Sequence, residues 1–232
     1  MIKYLTACML CLCSACSWTP EDVHETRFMM GTLVSFTIVG MQKQHAEQAI
    51  HAAADEMQRI EDTFTIDGSV DNEIKRFNHS SVGQPMPLSD EVTMVLRAAL
   101  RIQAQSDGAF NPALGALNQL WGFSTTPPPT HPPAQVIIEE KRQGLSHCLH
   151  HSLEGWWRDS AQCQLDFGGI AKGYAIDQGI KILKEHGIQH AMIDAGGDLR
   201  VMGQHGEQAW RIGIRDPRDA TKMLGVLHLH GD

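Results

Sequence analysis

The chain has 232 residues, a length that fits an export signal followed by one domain. Its hydrophobic content of 42% is ordinary for a globular protein, so the chain can bury a core of its own. The formal net charge of −8 provides no basic surface, which argues against nucleic acid as a partner.

The first residues are typical of a bacterial export signal. Lys3 is the only charged residue before Glu21, and residues 4–13 form an apolar run that is too short to span a bilayer. Two small residues then precede Cys16, as at a lipoprotein processing site, although Cys13 stands where leucine is usual. We therefore expect cleavage before Cys16 and lipidation of this residue, and an ordinary signal peptide cut nearby is the alternative.

This interpretation divides the chain into three parts: a signal peptide at 1–15, a tether at 16–26 and a domain at 27–232. A lipid on Cys16 would hold the domain in the periplasm, on the inner membrane or alternatively on the outer membrane, without a transmembrane helix. Four of the six cysteines belong to the leader. The other two, Cys148 and Cys163, could form a disulfide or remain free and partly buried, and the sequence leaves both open.

Hydrophobic spacing and capping residues predict the first elements of the domain. Alternation predicts a strand at 32–39, and apolar residues at helical spacing predict a helix at 44–64. A second helix begins after a Ser89 cap and ends at Gly108. A short third helix follows Asn111–Pro112, with the asparagine as cap and the proline in the first turn.

The later elements alternate between helix and strand, which indicates an α+β (mixed α/β) fold with helices packed on a mixed β-sheet. A Rossmann fold is disfavoured because the glycines lack the G-x-G-x-x-G pattern. In chain order, we predict a proline-rich connector at 125–133, a short helix at 136–143, a hairpin at 152–167, a helix at 170–186, and strands at 191–193 and 210–214.

The segment 163–177 carries the most specific signal. An apolar strand at 163–167 includes Asp166, turns at Gly168–Gly169 and leads directly into a helix. Bare N–H groups at such a turn, together with the helix dipole, favour a phosphate ligand. Asp166 and Lys172 place a carboxylate and an ammonium near the same spot, which suits a diphosphate with a divalent cation. The alternative is that Asp166 only caps the helix.

This segment closely resembles the glycine-rich motif of the ApbE-type FAD:protein FMN transferases, the thiamine biosynthesis lipoprotein family. Further family motifs occur in the family's order, and the resemblance extends from about residue 27 to the last residue. These motifs are Met30–Thr32, Asn72–Asn78, Gly108–Pro112 with Leu120–Phe123, Asp194–Asp198, and Trp210–Ile214.

The resemblance also implies roles for individual residues. From the residues alone, Met30 could equally be a core methionine. Asn111 stands where the family most often has aspartate, and it can form hydrogen bonds but carries no charge. The implied roles are flavin contact for Met30, contact with the flavin nucleotide for Ala109, Phe110 and Asn111, contact with FAD for Asp166 and Lys172, and Mg²⁺ binding through the carbonyl of Gly169.

The activity that the resemblance implies is Mg²⁺-dependent transfer of the FMN moiety of FAD to a threonine of an exported acceptor, with release of AMP. Acceptors would be subunits of sodium-pumping NADH:quinone reductases or Rnf-type complexes. The alternatives are an FAD pyrophosphatase, a non-catalytic flavin-binding lipoprotein and a structural surface lipoprotein. No general base is identified among these residues.

The C-terminal end also differs from the family pattern. The chain stops at Asp232, inside what reads as a strand. Family members continue with a Ser-Gly turn, a His-rich strand and a metal-binding Asp-Pro-x-Thr-Gly loop, and these are absent here. The resemblance therefore implies a C-terminally truncated domain, and we expect residues 17–232 to transfer flavin poorly.

Overall fold

The computed structural model describes residues 21–231, except 124 and 128. The predicted signal peptide and the predicted lipidation site, Cys16, lie outside these residues. The elements are, in chain order, β1 (Val23–Met29), β2 (Thr32–Ile38), α1 (Lys43–Phe64), α2 (Glu73–His79), α3 (Asp90–Gln105), α4 (Gly115–Trp121), α5 (Gln135–Arg142), a 3₁₀ turn (Leu145–His147), β3 (Leu149–Ser152), β4 (Gly155–Arg158), α6 (Ala171–Glu185), β5 (Ala191–Ala195), β6 (Asp198–Met202), β7 (Trp210–Arg215) and β8 (Met223–Leu229).

The central sheet has the strand order β1-β2-β5-β6. Each pair of neighbours is antiparallel, whereas the sequence predicted a mixed sheet. Tight turns join β1 to β2 and β5 to β6, and such turns can connect only antiparallel neighbours. The α+β fold class itself is confirmed, with helices packed on this sheet.

Helices α1 and α6 pack against each other and supply much of the core. Both present a stripe of buried residues at helical spacing, which explains why their limits were predicted to within about one residue. Gly179 permits the close approach of α6, because an added Cβ would lie 2.8 Å from Cδ1 of Ile193 and 3.1 Å from Sδ of Met57. None of the helices in the described part of the chain is long and apolar enough to cross a lipid bilayer.

The predicted strand at 163–167 is wrong, although the segment is extended. On one edge its backbone pairs with a side chain: Oδ1 of Asn78 accepts from the Leu165 N–H at 2.6 Å, and Nδ2 of Asn78 donates to the Leu165 carbonyl at 2.8 Å. On the other edge, two backbone bonds join it to residues 112 and 115, which belong to no strand. The hairpin in this region is formed instead by β3 and β4. On that first edge, a side-chain amide therefore takes the place that a neighbouring strand would occupy.

The third helix also begins later than predicted. Oδ1 of Asn111 accepts from the N–H of Ala113 at 2.8 Å, so Asn111 forms a tight turn rather than the helix cap. Helix α4 starts at Gly115, and Leu114 occupies the N-cap position. Helix α2 and strand β6 were not predicted.

The N-terminal boundary of the domain lies earlier than expected. Strand β1 begins at Val23, inside the predicted tether 16–26, and pairs along its whole length with β2. Residues 23–26 are therefore part of the sheet. Cys148 and Cys163 form a disulfide with a Cα–Cα distance of 6.0 Å, which decides between the two states that the sequence left open.

Candidate functional site

A cleft of about 670 Å³ lies where the β1–β2 turn, the end of α1, residues 109–119 and the start of α6 meet. This volume falls within the range of small-molecule sites. The cleft brings together every residue that the sequence analysis proposed for flavin or metal: Met30, Ala109, Phe110, Asn111, Asp166, Gly169 and Lys172.

Met30 lies in the tight turn between β1 and β2. Met30 and Gly31 have φ values of 53° and 70°, the left-handed pair that a two-residue hairpin requires. The backbone N–H of Met30 donates to Oε2 of Glu61 at 2.8 Å. Met29 is buried in the core, whereas Met30 is only partly buried and lines the cleft, so the two neighbouring methionines have different environments.

Residues 109–111 form the next wall, just after the end of α3. Ser106 fixes this segment, because its carbonyl accepts from the Ala109 N–H and its Oγ accepts from the Phe110 N–H, both at 3.0 Å. The ring of Phe110 lies against Gly169, where an added Cβ would be 2.9 Å from Cε2 of the ring. The neighbouring aromatic ring therefore favours glycine at position 169.

The side chain of Asn111 forms two hydrogen bonds with other groups of the protein. Its Oδ1 accepts from the N–H of Ala113, and its Nδ2 donates to the carbonyl of Leu145 at 3.2 Å. These bonds tie the cleft wall to the 3₁₀ turn beside the disulfide. An uncharged amide suits this position, because it can donate and accept at the same time.

Asp166 organises the glycine turn rather than capping the helix. Its Oδ1 accepts from the N–H of Gly168 at 2.8 Å, and its Oδ2 accepts from Nδ2 of Asn118 at 2.7 Å. The N-cap of α6 is Ile170, and no side chain caps this helix. The alternative of a helix cap is therefore wrong.

The start of α6 has free backbone donors, as the sequence predicted, but Gly168 is not one of them. The N–H of Gly168 is taken by Asp166, and those of residues 170–171 donate to the carbonyl of Phe167. Such amides at a helix N-terminus favour an anionic ligand. Among the described residues at the start of α6, the amides of Gly169, Lys172 and Gly173 have no protein acceptor; Gly169 and Lys172 line the cleft, whereas Gly173 lines a neighbouring pocket.

Lys172 lines the cleft but pairs with a residue that the sequence did not suggest. Its Nζ lies 2.8 Å from Oδ2 of Asp198, and the two side chains are 30% and 61% exposed. An exposed pair of this kind contributes little stability, so the ammonium can exchange its partner for a ligand phosphate at small cost. Asp198 starts β6, directly after the Gly196–Gly197 turn.

Among the polar cleft residues that sequence reasoning missed are Glu61 and Asn118, both of which hydrogen-bond to other cleft residues. Glu61 lies on the amphipathic helix α1, where a charged residue is normally read as solvated. Asn118 lies just before the motif at 120–123, which is the only signal that could have indicated it. Both act on cleft residues far away in the chain, so their roles depend on the fold.

The described residues contain no group of three or more His, Cys, Asp or Glu side chains that could hold a metal ion. The carbonyl of Gly169, proposed as a metal ligand, accepts no protein hydrogen bond in residues 21–231 apart from 124 and 128. A carbonyl and one carboxylate, Asp166, suit Mg²⁺ when phosphates of a bound substrate complete its ligands. The magnesium site remains a prediction.

The fold and the cleft together define an α+β domain in which a helix N-terminus with free amides lies beside apolar and aromatic side chains. Comparison with known proteins gives the family. The chain belongs to the ApbE family, whose model matches residues 30–232.

Individual relatives agree with this assignment. A Klebsiella pneumoniae protein named FAD:protein FMN transferase is 30% identical over 241 residues, which cover 98% of this chain and 69% of the relative. A Salmonella typhimurium protein of the same name is 30% identical over 87% of this chain, which spans only 60% of that relative.

Solved structures show the same fold. The crystal structure of an ApbE protein from Thermotoga maritima has a TM-score of 0.80 at 26% identity, covering 91% of this chain and 68% of that one. The apo form of a Pseudomonas stutzeri flavinyl transferase ApbE has a TM-score of 0.77, also at 26% identity, covering 92% of this chain and 67% of that one.

Proposed function

We propose that the protein binds FAD in this cleft and transfers its FMN moiety to a threonine hydroxyl of an exported protein, with release of AMP. Membership of the ApbE family and the names of the relatives support this proposal. The observation that carries it is the convergence of free helix amides, the ammonium of Lys172 and the thioether of Met30 on one cleft.

The diphosphate of FAD binds at the start of α6. The amides of Gly169 and Lys172 donate to its oxygens, and the positive end of the helix dipole favours its charge. Lys172 leaves Asp198 and pairs with a phosphate. The isoalloxazine ring packs beside Met30, whose polarizable sulfur suits an aromatic partner.

The threonine oxygen attacks the phosphorus on the FMN side of the diphosphate. A new P–O bond forms, the bond to the bridging oxygen breaks, and AMP leaves with that oxygen. The hydroxyl proton passes to solvent, since no group of the cleft is assigned as the base. The helix amides and Lys172 stabilise the charge that develops on the phosphate oxygens, which is the main task in phosphoryl transfer.

Mg²⁺ fits the same site through the carbonyl of Gly169 and a carboxylate oxygen of Asp166. When bound, the ion would neutralise charge on the diphosphate. Each oxygen of Asp166 accepts one hydrogen bond, so each keeps a further lone-pair position for a ligand.

The proposal also includes the location of the protein. Lipidation at Cys16 would tether it to the periplasmic side of the inner membrane, or alternatively to the outer membrane, within reach of exported acceptors. Flavin-carrying subunits of sodium-pumping NADH:quinone reductases or Rnf-type complexes are the acceptor class that we propose. Labelling of the protein with a radioactive fatty acid, which Cys16→Ser should abolish, tests the anchor.

The activity is tested in two steps. Quenching of flavin fluorescence measures FAD binding with and without Mg²⁺, and mass spectrometry then detects FMN on a threonine-containing acceptor peptide, with AMP measured in parallel. The Klebsiella relative serves as the positive control. We expect FAD binding that Mg²⁺ strengthens, and labelled peptide and AMP in equal amounts, formed more slowly than by the Klebsiella relative.

Other outcomes would overturn parts of the proposal. Free FMN and AMP without labelled peptide would indicate hydrolysis by water. Tight, Mg²⁺-independent binding without AMP would indicate a flavin carrier. A protein that does not quench FAD fluorescence has no flavin site, and the proposal fails entirely. Asp166→Ala should weaken both FAD binding and its dependence on Mg²⁺.

A further inference from the structure

We propose that Asn118 is a positioning residue that sets the shape of the diphosphate site by holding Asp166. The inference rests on the proposed function, because it assigns a task within the same cleft. Asn118 lies on α4 and lines the cleft, and its Nδ2 donates to Oδ2 of Asp166 at 2.7 Å across 48 residues of sequence.

Helix α4 is docked so that this contact is fixed. The N–H of Gly115 donates to the carbonyl of Gln164 at 2.8 Å, and the N–H of Asp166 donates to the carbonyl of Pro112 at 2.9 Å. These two backbone bonds join residues 112–118 to residues 164–166 as one unit. Asn118 therefore meets Asp166 from a rigid support, which is what a positioning residue requires.

The carboxylate of Asp166 accepts two hydrogen bonds, and both depend on its orientation. One oxygen accepts from Asn118, and this leaves the other pointing at the N–H of Gly168, which it accepts at 2.8 Å. Without Asn118 the carboxylate can rotate, release Gly168 and turn its negative charge into the cleft. A free negative charge there would repel the diphosphate.

An asparagine suits this task better than a charged or shorter residue. Its amide donates to the ionised carboxylate and adds no charge beside a site for an anion. An aspartate at the same position would place two carboxylates in contact. An alanine would leave Asp166 with a single protein donor, Gly168.

The first experiment compares FAD affinities by fluorescence quenching. We expect Asn118→Ala to weaken FAD binding about tenfold, the size typical for loss of a hydrogen bond to a charged group. Asn118→Asp should weaken it further. Gln105→Ala removes an exposed side-chain amide at the end of α3, outside the cleft, and should leave the affinity unchanged. Affinity retained in Asn118→Ala would overturn the inference.

The second experiment separates positioning from general packing of α4. In the double variant Asn118→Asp with Asp166→Asn, the donor and acceptor exchange places, and the amide oxygen at 166 can still accept from Gly168. Measured without Mg²⁺, because Asp166→Asn removes the carboxylate proposed as a metal ligand, this exchange should restore the FAD affinity to within about threefold of the unmutated protein, as coupled residues in a double-mutant cycle do. A double variant that binds as weakly as Asn118→Asp would contradict the inference.

The third experiment does not depend on flavin. Amide hydrogen exchange at Gly168 reports the bond to Asp166 directly, and we expect Asn118→Ala to accelerate this exchange while Gln105→Ala does not. If the unmutated protein fails to bind FAD, the proposed function fails, and this measurement still tests the role of Asn118. If FAD binds but exchange at Gly168 is unchanged in Asn118→Ala, only the positioning role fails.

Discussion

Oε2 of Glu61 accepts a hydrogen bond from the backbone N–H of Met30 at 2.8 Å, although 31 residues separate them in sequence. The contact joins the end of α1 to the β1–β2 turn. Met30 has a φ of 53°, which is uncommon for a residue with a side chain, so the turn benefits from an external anchor. One carboxylate therefore fixes the part of the cleft where we place the flavin ring.

Removal of this carboxylate should loosen the flavin end of the cleft. We expect Glu61→Ala to weaken FAD binding about tenfold, because the N–H of Met30 loses a charged acceptor. Glu61→Gln keeps an acceptor oxygen at the same position and should retain most of the affinity. Fluorescence titration with FAD measures both variants, and equal affinities in the two would disprove an anchoring role.

A second prediction concerns the docking of α4. A Cβ at Gly115 would lie 2.9 Å from the carbonyl oxygen of Gln164 and 3.0 Å from that of Leu165. Because both atoms belong to the backbone, Gly115→Ala must push the helix away from the segment that carries Asp166. We expect a loss of about 1–3 kcal/mol in the free energy of unfolding, together with weaker FAD binding.

The matched control for stability is Gly173→Ala in α6. An added Cβ there finds no atom within 4 Å, so the substitution should stabilise the helix by about 0.5–1 kcal/mol. Urea unfolding measures both variants. If Gly115→Ala were as stable as the unmutated protein, the contact between α4 and residues 164–165 would not be tight.

The sequence predicted the amphipathic helices well because their signal is local. Helix α1 and helix α6 each carry a buried stripe that is visible without any knowledge of their partners. The segment 163–167 shows the limit of this approach. Its alternation is real, but its partners are the side chain of Asn78 on one edge and an irregular backbone segment on the other, and no local pattern distinguishes these partners from strands.

In the site, too, features that are adjacent in sequence were predicted, and contacts that only folding creates were not. Glycines and an aspartate before a helix indicated the turn at 168–169, because the features needed for a helix N-terminus are adjacent in sequence. The residues that orient it are distant: Asn118 for Asp166, Asp198 for Lys172 and Glu61 for Met30. Each is a common polar residue whose role depends on which elements pack together.

A third prediction follows from the disulfide. Cys148 and Cys163 are 15 residues apart, so the bond closes a short loop and should contribute about 3 kcal/mol to the free energy of unfolding. Replacing both with serine should remove this contribution. Urea unfolding with and without a reductant provides the check: the reductant should lower the stability of the unmutated protein and leave the double variant unchanged. If the reductant left the free energy of unfolding of the unmutated protein unchanged, the prediction of a disulfide would be wrong.

Tyr174 links α6 to α1 and α3 through a charged pair. Its hydroxyl donates to Oε1 of Glu91 at 2.8 Å, and both oxygens of Glu91 accept from Arg59 at 2.7 and 2.8 Å. Burial and the bond to Glu91 raise the pKa of Tyr174 from 10.0 to about 12. The fold therefore favours the neutral phenol over the phenolate.

The sign of the resulting pH dependence is fixed by this shift. A pKa raised on folding contributes stability that is fully present below about pH 10, the value in the unfolded chain, and is lost as the pH rises through about 12. Tyr174→Phe should lower the free energy of unfolding by about 1 kcal/mol at neutral pH, through loss of the bond to Glu91. Between pH 10 and 12 its stability should fall less steeply than that of the unmutated protein.

Absorbance of the phenolate provides a direct measurement, because the chain has only two tyrosines and the other is Tyr4 in the predicted signal peptide. In the folded protein, Tyr174 should titrate near pH 12, and this step should be absent in Tyr174→Phe. Unfolding should return it to about pH 10. A midpoint near 10 in the folded protein would show that the phenol lies in water, and the bond to Glu91 would then not stabilise the contact between α3 and α6.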